Sequence, residues 1–256
     1  MKVDLSDRVA LVTGAAKGIG RAIADLLGAN GAHVVYTDVD EVGLATVAEA
    51  DTRRLDVTDI DSAQQVVDAI LADHGHIDIL VNNAGVNTAD HRVPVDEFPK
   101  AEWDRLLSVD LDGPYHVSKA VIPSMRAREY GRIINIASIA GLVPLRLQSA
   151  FVAAKAGVVN LTKSMAIELG SAGILVNAVA PGSTLTDGTR QLFYGEDGSF
   201  RDSMQEMLDH IPLGRPGDVD EIAHAVLFLA APESSYVNGH VLVVDGGWTA
   251  GYVRNF

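Results

Sequence analysis

The chain has 256 residues and a formal net charge of −14, with hydrophobic residues making up 48% of it and charged residues 21%. This length and composition fit one domain with a substantial core and argue against disorder. The negative charge argues against nucleic-acid and anionic-membrane partners, because both attract Lys- and Arg-rich faces.

Segments that would send the chain into or across a membrane are not evident. The first residues lack an apolar stretch of signal-peptide length, and no run of about 18 apolar residues predicts a membrane span. We therefore expect a cytoplasmic protein without a membrane partner. The chain contains no cysteine, which excludes disulfides and thiolate chemistry.

Seven short segments, rich in apolar or β-branched residues, predict strands. In chain order they are residues 9–13, 34–38, 53–56, 77–82, 133–138, 174–180 and 241–244. Most are apolar throughout, which is typical of parallel strands covered on both faces, whereas a half-exposed antiparallel strand would alternate.

Helical periodicity separates these strands. Apolar residues recur at helical spacing over 19–27, 63–71 and 222–229, which gives alternating strands and helices. This order predicts an α/β fold with a Rossmann-like, doubly wound parallel sheet, and residues 1–256 form a single domain. Residues 183–215 interrupt the alternation with Gly, Asp and aromatic residues, and we predict that they form a substrate lid.

A glycine-rich turn joins the first strand to the first helix. It contains Gly14, Lys17, Gly18, Ile19 and Gly20. Backbone amides and the helix dipole at such a turn favour an anionic pyrophosphate, and glycine lets the phosphate approach closely. This position between strand and helix predicts a dinucleotide site rather than an ordinary tight turn.

Acidic residues at the ends of the next two strands extend this site. Asp38 lies 18 positions after Gly20, where a carboxylate can accept hydrogen bonds from the adenosine ribose and would repel a 2′-phosphate. NAD is therefore the predicted cofactor, although Lys17 could help to hold an extra phosphate. Asp56, followed by Val57, either caps the next segment or contacts the adenine; we favour the adenine contact.

With these motifs the chain resembles the short-chain dehydrogenase/reductase family over nearly its whole length. The resemblance rests on residues 13–20, on Asn82-Asn83-Ala84-Gly85, on Ser138 and Lys155, and on Pro181-Gly182. It implies a homotetrameric oxidoreductase that moves hydride between a nicotinamide and a carbonyl or alcohol, using Asn, Ser, Tyr and Lys together.

The same resemblance assigns further cofactor contacts. Asn83, Ala84 and Gly85 are expected to line the adenosine site, although they could form only a turn. Pro181 and Gly182 leave a strand and lead to the nicotinamide side of the site. The resemblance places Thr186 at the nicotinamide carboxamide or diphosphate, with Thr184 sharing that role. Lys155 is expected to hold the nicotinamide ribose.

Two of the four catalytic positions of the family differ here. Phe151 stands where the family has Tyr, four residues before Lys155, so the phenol that exchanges a proton with the substrate oxygen is missing. Asp110 stands where the family usually has Asn; it could hold a relay water or merely cap a local kink. Ser138 can still hydrogen-bond a carbonyl.

Three explanations of Phe151 remain open. The first is a laboratory substitution that traps a complex. The second is a natural enzyme that uses another acid or a water molecule. The third is a natural protein that binds the cofactor without catalysis. In each case binding and turnover are separate questions. A positioned acid or base contributes roughly 10²- to 10⁴-fold in rate, so turnover is expected to be impaired.

The substrate prediction rests on polar residues near the expected active-site mouth. Arg146, Gln148 and Asn87 favour a small polar molecule such as a sugar or polyol, because buried hydroxyls need hydrogen-bond partners. Alternatives are the reduction of a 3-oxoacyl thioester and a noncatalytic NAD-binding regulatory or assembly subunit. The chain's negative net charge and Asp38 argue against thioester reduction, because the family members that carry it out generally use NADPH and a basic docking patch.

Two remaining features yield minor predictions. His74 and His76 have no further ligand nearby in sequence, so no metal site is predicted. The aromatic and basic residues 251–256 are expected to dock on a neighbouring subunit.

Overall fold

A computed structural model of the chain describes residues 3–47, 50–88, 91–186 and 208–251. Its centre is a seven-stranded sheet in the order β3-β2-β1-β4-β5-β6-β9, and all pairings are parallel. The strands are β1 Val9–Thr13, β2 His33–Asp38, β3 Asp51–Arg54, β4 Ile79–Asn82, β5 Gly131–Ile136, β6 Ile174–Pro181 and β9 Val241–Val244. A separate short pair joins β7 Thr184–Leu185 to β8 Gly217–Asp218.

Seven α-helices of the described residues connect these strands. They are α1 Gly18–Ala29, α2 Glu41–Leu44, α3 Ile60–His74, α4 Lys100–Leu107, α5 Gly113–Arg128, α6 Ser149–Leu169 and α7 Val219–Ala230. A π-helical turn, Ser108–Asp112, joins α4 to α5. No helix of the described residues is long and apolar enough to cross a membrane.

Both faces of the sheet are covered, as the continuous apolar strands require. On one face Ile23 of α1 and Val226 of α7 belong to one buried cluster. On the other, Ile70 of α3 and Val121 of α5 pack in a second cluster with Leu80 of β4. Burying a side chain of this size contributes roughly 1.5–3 kcal/mol, so the two cores hold the strand ends in fixed positions.

The predicted Rossmann-like α/β fold is confirmed, with two strands displaced by two residues. The fifth strand is predicted at residues 133–138 but forms at Gly131–Ile136. The third strand is predicted at residues 53–56 but forms at Asp51–Arg54. Its composition, Asp-Thr-Arg-Arg, lacks the apolar pattern that locates the buried strands. It lies at the sheet edge and pairs only with β2 among the described strands.

Two predictions fall partly or wholly outside the described residues. Of the predicted lid at 183–215, residues 187–207 lie outside them. Of the predicted docking tail, residues 252–256 also lie outside them.

Candidate active site

The carboxyl ends of the parallel strands lie at one edge of the sheet, and most predicted site residues follow them. Thr13 ends β1, Asp38 ends β2, Asn82 ends β4 and Pro181 ends β6. Ser138 follows β5 by two residues. Ligands of open α/β sheets bind at this edge, in the crevice outside the strand ends.

The glycine-rich turn is shaped by positions that exclude a side chain. Gly14 and Gly18 have φ angles of 66° and 59°, which L-residues rarely adopt. A Cβ on Gly20 would lie 2.2 Å from the Gly14 carbonyl oxygen. Lys17, at the N-cap of α1, makes no side-chain hydrogen bond to the helix amides. Ile19, in the first turn, packs against the core, so the turn presents backbone to a ligand.

Asn83 fastens this turn to the end of β4. Its Nδ2 donates to the carbonyl oxygens of Thr13 and Gly14 at 2.9 and 3.0 Å. The Thr13 hydroxyl accepts in turn from the amides of Asn83 and Ala84, both at 3.0 Å. The sequence analysis gave Thr13 no role of its own. Its position as the single polar residue of an otherwise apolar strand is the signal that could have revealed it.

Asp38 is held at the mouth of the turn. Its Oδ2 accepts from the Ala16 amide at 3.1 Å and its Oδ1 from the Asp40 amide at 3.0 Å. A carboxylate has about four acceptor positions, so capacity remains for further donors. Lys17 Nζ lies 3.4 Å from Asp40 Oδ2, which gives its charge an acidic partner within the protein.

Asp56 and Val57 have local partners. Asp56 Oδ1 accepts from the Thr58 amide at 3.0 Å and from the Thr58 hydroxyl at 2.7 Å. The Val57 carbonyl oxygen lies 2.9 Å from His116 Nδ1. The capping alternative for Asp56 therefore has structural support, and the adenine contact stays a prediction.

Lys155 lies in the interior beside two of the other catalytic positions, Asp110 and Phe151. Its Nζ donates to the Ile136 carbonyl oxygen at 3.2 Å and lies 3.7 Å from Asp110 Oδ1. The centre of the Phe151 ring is 5.8 Å from the same Nζ, one turn earlier on α6. The helix thus presents Phe151 and Lys155 on one face, as their spacing predicts.

Asp110 lies in the π-helical turn and is fully buried. Its Oδ1 accepts from the Val86 amide at 2.9 Å, whereas its Oδ2 is buried without a hydrogen-bond partner among the described residues. Burial raises the pKa of Asp110, and the Lys155 ammonium partly opposes this rise. A Cβ on Gly85 would lie 2.8 Å from Asp110 Oδ1, so only glycine leaves room for this carboxylate.

Ser138 begins a short 3₁₀ turn directly after β5. Its Oγ accepts from the Ala140 amide at 3.1 Å, and its hydroxyl hydrogen can be donated to another group. The turn packs tightly on α6, because a Cβ on Gly141 would lie 2.6 Å from the Lys155 carbonyl oxygen. This close packing fixes Ser138 relative to Lys155.

The segment after β6 closes the cofactor end of the site. The Gly182 amide donates to the Val244 carbonyl oxygen at 2.9 Å, and Thr184 Oγ1 donates to the Gly182 carbonyl oxygen at 3.2 Å. Thr186 lies across the glycine-rich turn, because a Cβ on Gly18 would be 3.6 Å from its Cγ2. Gly18 and Thr186, which were predicted to contact the cofactor from opposite sides of the crevice, are therefore neighbours.

The three predicted substrate residues occupy different surroundings. Asn87 is exposed, and its Oδ1 accepts from the Thr88 amide at 2.7 Å. Gln148 is buried at the start of α6. Arg146 borders a groove of about 480 Å³ whose lining is mostly apolar. The lining includes Val93, Pro94, Val95, Pro144, Leu145, Leu147 and Val152.

A buried amide pair beneath the site escaped the sequence analysis. Asn82 Nδ2 donates to Asn135 Oδ1 at 2.8 Å and to Ser118 Oγ at 3.0 Å. Asn135 Nδ2 donates to Thr162 Oγ1 at 2.9 Å. These bonds join β4 and β5 to α5 and α6. Asparagine in two neighbouring apolar strands is the signal that could have revealed the pair.

The parallel sheet and the glycine-lined turn at the end of β1 define the class of Rossmann-like dinucleotide-binding domains. The chain belongs to the short-chain dehydrogenase/reductase family and is an oxidoreductase of that family. A sequence model described as enoyl-(acyl carrier protein) reductase matches residues 14–249.

Similar proteins match nearly the full chain. A 3-oxoacyl-(acyl-carrier-protein) reductase of Vibrio harveyi is 43% identical over 250 residues, covering 96% of this chain and 98% of that protein. The Escherichia coli K12 protein of the same name is 40% identical, with the same coverage. The structure of a Burkholderia cenocepacia gluconate 5-dehydrogenase with NADP and tartrate is 37% identical, with a TM-score of 0.89, covering 97% of this chain and 98% of that chain.

The expectation of a sugar or polyol substrate is wrong. Relatives about 40% identical over almost the whole chain are named 3-oxoacyl reductases, which favours the thioester alternative. The expectation relied on Arg146 and Gln148 as polar contacts for hydroxyl groups. Arg146 instead borders a mostly apolar groove and Gln148 is buried, so the sequence overstated the polarity of this region.

Proposed function

We propose that this protein's site is built to reduce a 3-oxoacyl thioester to the 3-hydroxyacyl thioester with a nicotinamide cofactor. The observation that carries the proposal is the identity of about 40% with 3-oxoacyl-(acyl-carrier-protein) reductases, extending over 96% of this chain and 98% of two of them. The groove beside Arg146 supports it, because its apolar lining suits an acyl chain.

The cofactor residues fit a dinucleotide. A ligand phosphate can approach the turn where Gly14 and Gly20 lack a side chain, and the N-terminus of α1 favours its negative charge. When bound, the nicotinamide supplies the hydride for carbonyl reduction. Lys155 would hold the nicotinamide ribose, and Thr184 and Thr186 would border its ring or diphosphate.

The proposed preference is for NAD(H). The Asp38 carboxylate ends β2 with acceptor capacity remaining after its two backbone bonds, so it can accept from ribose hydroxyls and would repel a 2′-phosphate. Lys17, the residue that could favour a phosphate, already has Asp40 as an acidic neighbour. This preference differs from the NADP present in the Burkholderia structure.

Turnover is proposed to be impaired by Phe151. Ser138 can donate a hydrogen bond to the substrate carbonyl, and Lys155 supplies positive charge nearby. A phenyl ring has no proton to give to the forming alkoxide. Asp110 Oδ1 lies 3.7 Å from Lys155 Nζ, and a protonated carboxyl there could relay a proton through water.

The assembly is proposed to be a homotetramer of single-domain subunits. β9 forms one edge of the sheet, and Val243 within it remains partly exposed. Ile167 of α6 and Tyr236 near β9 are largely exposed apolar side chains, which association would cover. Sedimentation analysis of the purified chain tests the subunit count.

The test of the function compares two 3-oxobutanoyl thioesters, one on coenzyme A and one on an acyl carrier protein. Each is assayed with NADH and NADPH, using the chain and Phe151→Tyr. Consumption of NADH with 3-hydroxybutanoyl thioester as product supports the proposal. A Phe151→Tyr protein that binds NADH but reduces neither thioester would contradict it. Reduction of the coenzyme A thioester alone would indicate that the net charge of −14 prevents an acidic carrier from docking.

A further inference from the structure

Two histidines and an aspartate meet at the amino ends of the strands, opposite the cofactor crevice. His33 begins β2, Asp51 begins β3 and His74 ends α3. Asp51 lies 18 positions after His33 and 23 positions before His74, so no short sequence motif predicts this cluster. The parallel pairing of β2 with β3 brings His33 and Asp51 together. Helix α3 runs back towards the amino ends of the strands and places His74, its last residue, beside them.

Their ligand atoms converge. Asp51 Oδ2 lies 2.9 Å from His74 Nε2 and 3.4 Å from His33 Nε2. One ligand atom from each residue lies within 4.8 Å of the others. Ligand atoms about 2.0–2.1 Å from a tetrahedral zinc ion are about 3.3 Å apart. The two distances from Asp51 Oδ2, 2.9 and 3.4 Å, lie on either side of this value.

Exposure and charge allow an ion to enter. The side chain of His33 is 49% exposed and that of His74 21%, so the cluster opens to solvent. The Arg53 guanidinium donates to both oxygens of the Asp51 carboxylate. A neighbouring cation favours the charged form of a carboxyl group, which is the form that binds a metal ion.

Arg53 restricts the kind of ion. Its Nε donates to Asp51 Oδ1 and its Nη2 to Asp51 Oδ2, both at 3.1 Å. The same Nη2 also donates to Asp73 Oδ2 at 2.8 Å, so a second carboxylate offsets the guanidinium charge. Each carboxylate oxygen has about two acceptor positions, so Oδ2 keeps capacity for an ion beside Arg53. Since the other two ligands are imidazoles, the site suits a metal with nitrogen preference. Mg²⁺ and Ca²⁺ prefer sets of oxygen ligands.

We propose that His33, Asp51 and His74 form a three-ligand site for Zn²⁺ or a similar nitrogen-preferring divalent ion, with water completing the coordination. The ion joins β2, β3 and α3, three elements at the edge of the sheet. Because it binds only where the fold brings these residues together, it stabilises the folded state. The site is remote from the cofactor crevice and independent of the proposed thioester reduction.

The experiment is a calorimetric titration of the full-length chain with ZnCl₂ at pH 7.5, alongside His33→Gln, His74→Gln and His224→Gln. His224 is an exposed histidine on α7, so its replacement is the matched control. We expect one ion per chain, unchanged binding in the control, and an affinity at least about tenfold lower in each cluster variant. Losing even an outer partner of a metal ligand costs about 10- to 100-fold.

Thermal unfolding supplies a second measurement. Zn²⁺ should raise the midpoint of the chain and of His224→Gln but not of the His33→Gln/His74→Gln double variant, and MgCl₂ should raise none. Zinc binding that is equal in all variants, or absent at millimolar zinc, would overturn the proposal whatever the outcome of the thioester assay.

Discussion

The Lys155 ammonium lies 5.8 Å from the centre of the Phe151 ring. The ring therefore stands beside the cation that would lower the pKa of a phenol placed there, since a nearby positive charge favours the ionised form. The site keeps the group that would activate an acid and lacks the acid itself. We therefore expect the site to bind the cofactor normally but to transfer the proton poorly.

Phe151→Tyr should raise turnover of a 3-oxoacyl thioester by roughly 10²- to 10⁴-fold, which is the usual contribution of a positioned acid or base. Phe151 is only half-buried, so a hydroxyl can be added without overpacking. NADH affinity should stay within about twofold. Steady-state kinetics and NADH fluorescence titration measure the two effects.

Phe228→Tyr is the matched control, because it adds the same hydroxyl to a partly exposed ring on α7. It should leave turnover unchanged. Strong turnover of the unmodified chain, equal to that of Phe151→Tyr, would show that another group supplies the proton and would make Asp110 the next residue to replace.

The sequence showed that strands exist more reliably than it showed where they end. Continuous apolar runs located β1 and β9 at the observed bounds. The buried strand β5 nevertheless begins and ends two residues before its predicted bounds, because a continuous apolar run does not mark where the strand stops. The edge strand β3 was also displaced by two residues, since its charged side chains carry no apolar pattern. Local motifs such as the turn at Gly14 could be predicted because all their residues are close together in the sequence.

Relationships between distant residues could not be predicted in this way. Nothing in the sequence indicates that Gly85 makes room for Asp110, or that His33 meets His74. Such contacts depend on the register of the sheet and on where each helix ends. The substrate class was also predicted wrongly. That Arg146 is polar does not show whether the residues around it form an apolar groove.

Asp38→Asn should weaken the preference for NAD(H) over NADP(H). Asparagine keeps one side-chain oxygen that can accept from the Ala16 or Asp40 amide, but it removes the charge that would bind the ribose and repel a phosphate. A hydrogen bond to a charged group contributes about 1.5–3 kcal/mol, so the ratio of the two dissociation constants should change by about 10- to 100-fold.

Asp40→Asn serves as the control for this change. It removes an equal charge two residues away, on the carboxylate that accepts from the Gly43 amide and pairs with Lys17. Fluorescence titrations with both cofactors should show a smaller change in the ratio for this variant, because it releases Lys17 from its acidic partner but leaves the Asp38 carboxylate in place. An equal shift in both variants would point to general electrostatics rather than a ribose contact by Asp38.

Gly20→Ala and Gly28→Ala should have opposite effects although both lie in α1. A Cβ at position 20 would be 2.2 Å from the Gly14 carbonyl oxygen, whereas one at position 28 would be 3.8 Å from Val34 Cγ2. Overpacking costs about 1–3 kcal/mol, so Gly20→Ala should lower the free energy of unfolding and weaken cofactor binding. Gly28→Ala should raise stability by about 0.5–1 kcal/mol, because alanine favours the helix.

Urea unfolding and cofactor titration of the two variants provide the measurements. Equal stability of Gly20→Ala and the unmodified chain would mean that the turn can relax away from Gly14. Reduced stability of Gly28→Ala would show that helix propensity does not decide the outcome at that position.

Asp110 should make stability depend on pH. Burial raises the pKa of its carboxyl in the folded state, so between the unfolded pKa, about 3.9, and the higher folded pKa the folded chain binds more protons than the unfolded chain. The stability from this protonation is fully present below the unfolded pKa and is lost as pH rises through the folded pKa. Asp110→Asn, which is neutral throughout, should therefore gain stability relative to the unmodified chain as pH rises above about 4.

Urea unfolding at a series of pH values from about 4 to 8 measures this difference, with exposed Asp112→Asn as the control two residues away. Asp112→Asn should differ from the unmodified chain by a nearly constant amount over this range. Lys155 opposes the expected trend for Asp110→Asn, because replacing Asp110 removes the carboxylate 3.7 Å from a buried ammonium. If the difference between Asp110→Asn and the unmodified chain instead stays constant over this range, the ion pair offsets desolvation and Asp110 is ionised beside Lys155, unable to serve as a proton donor.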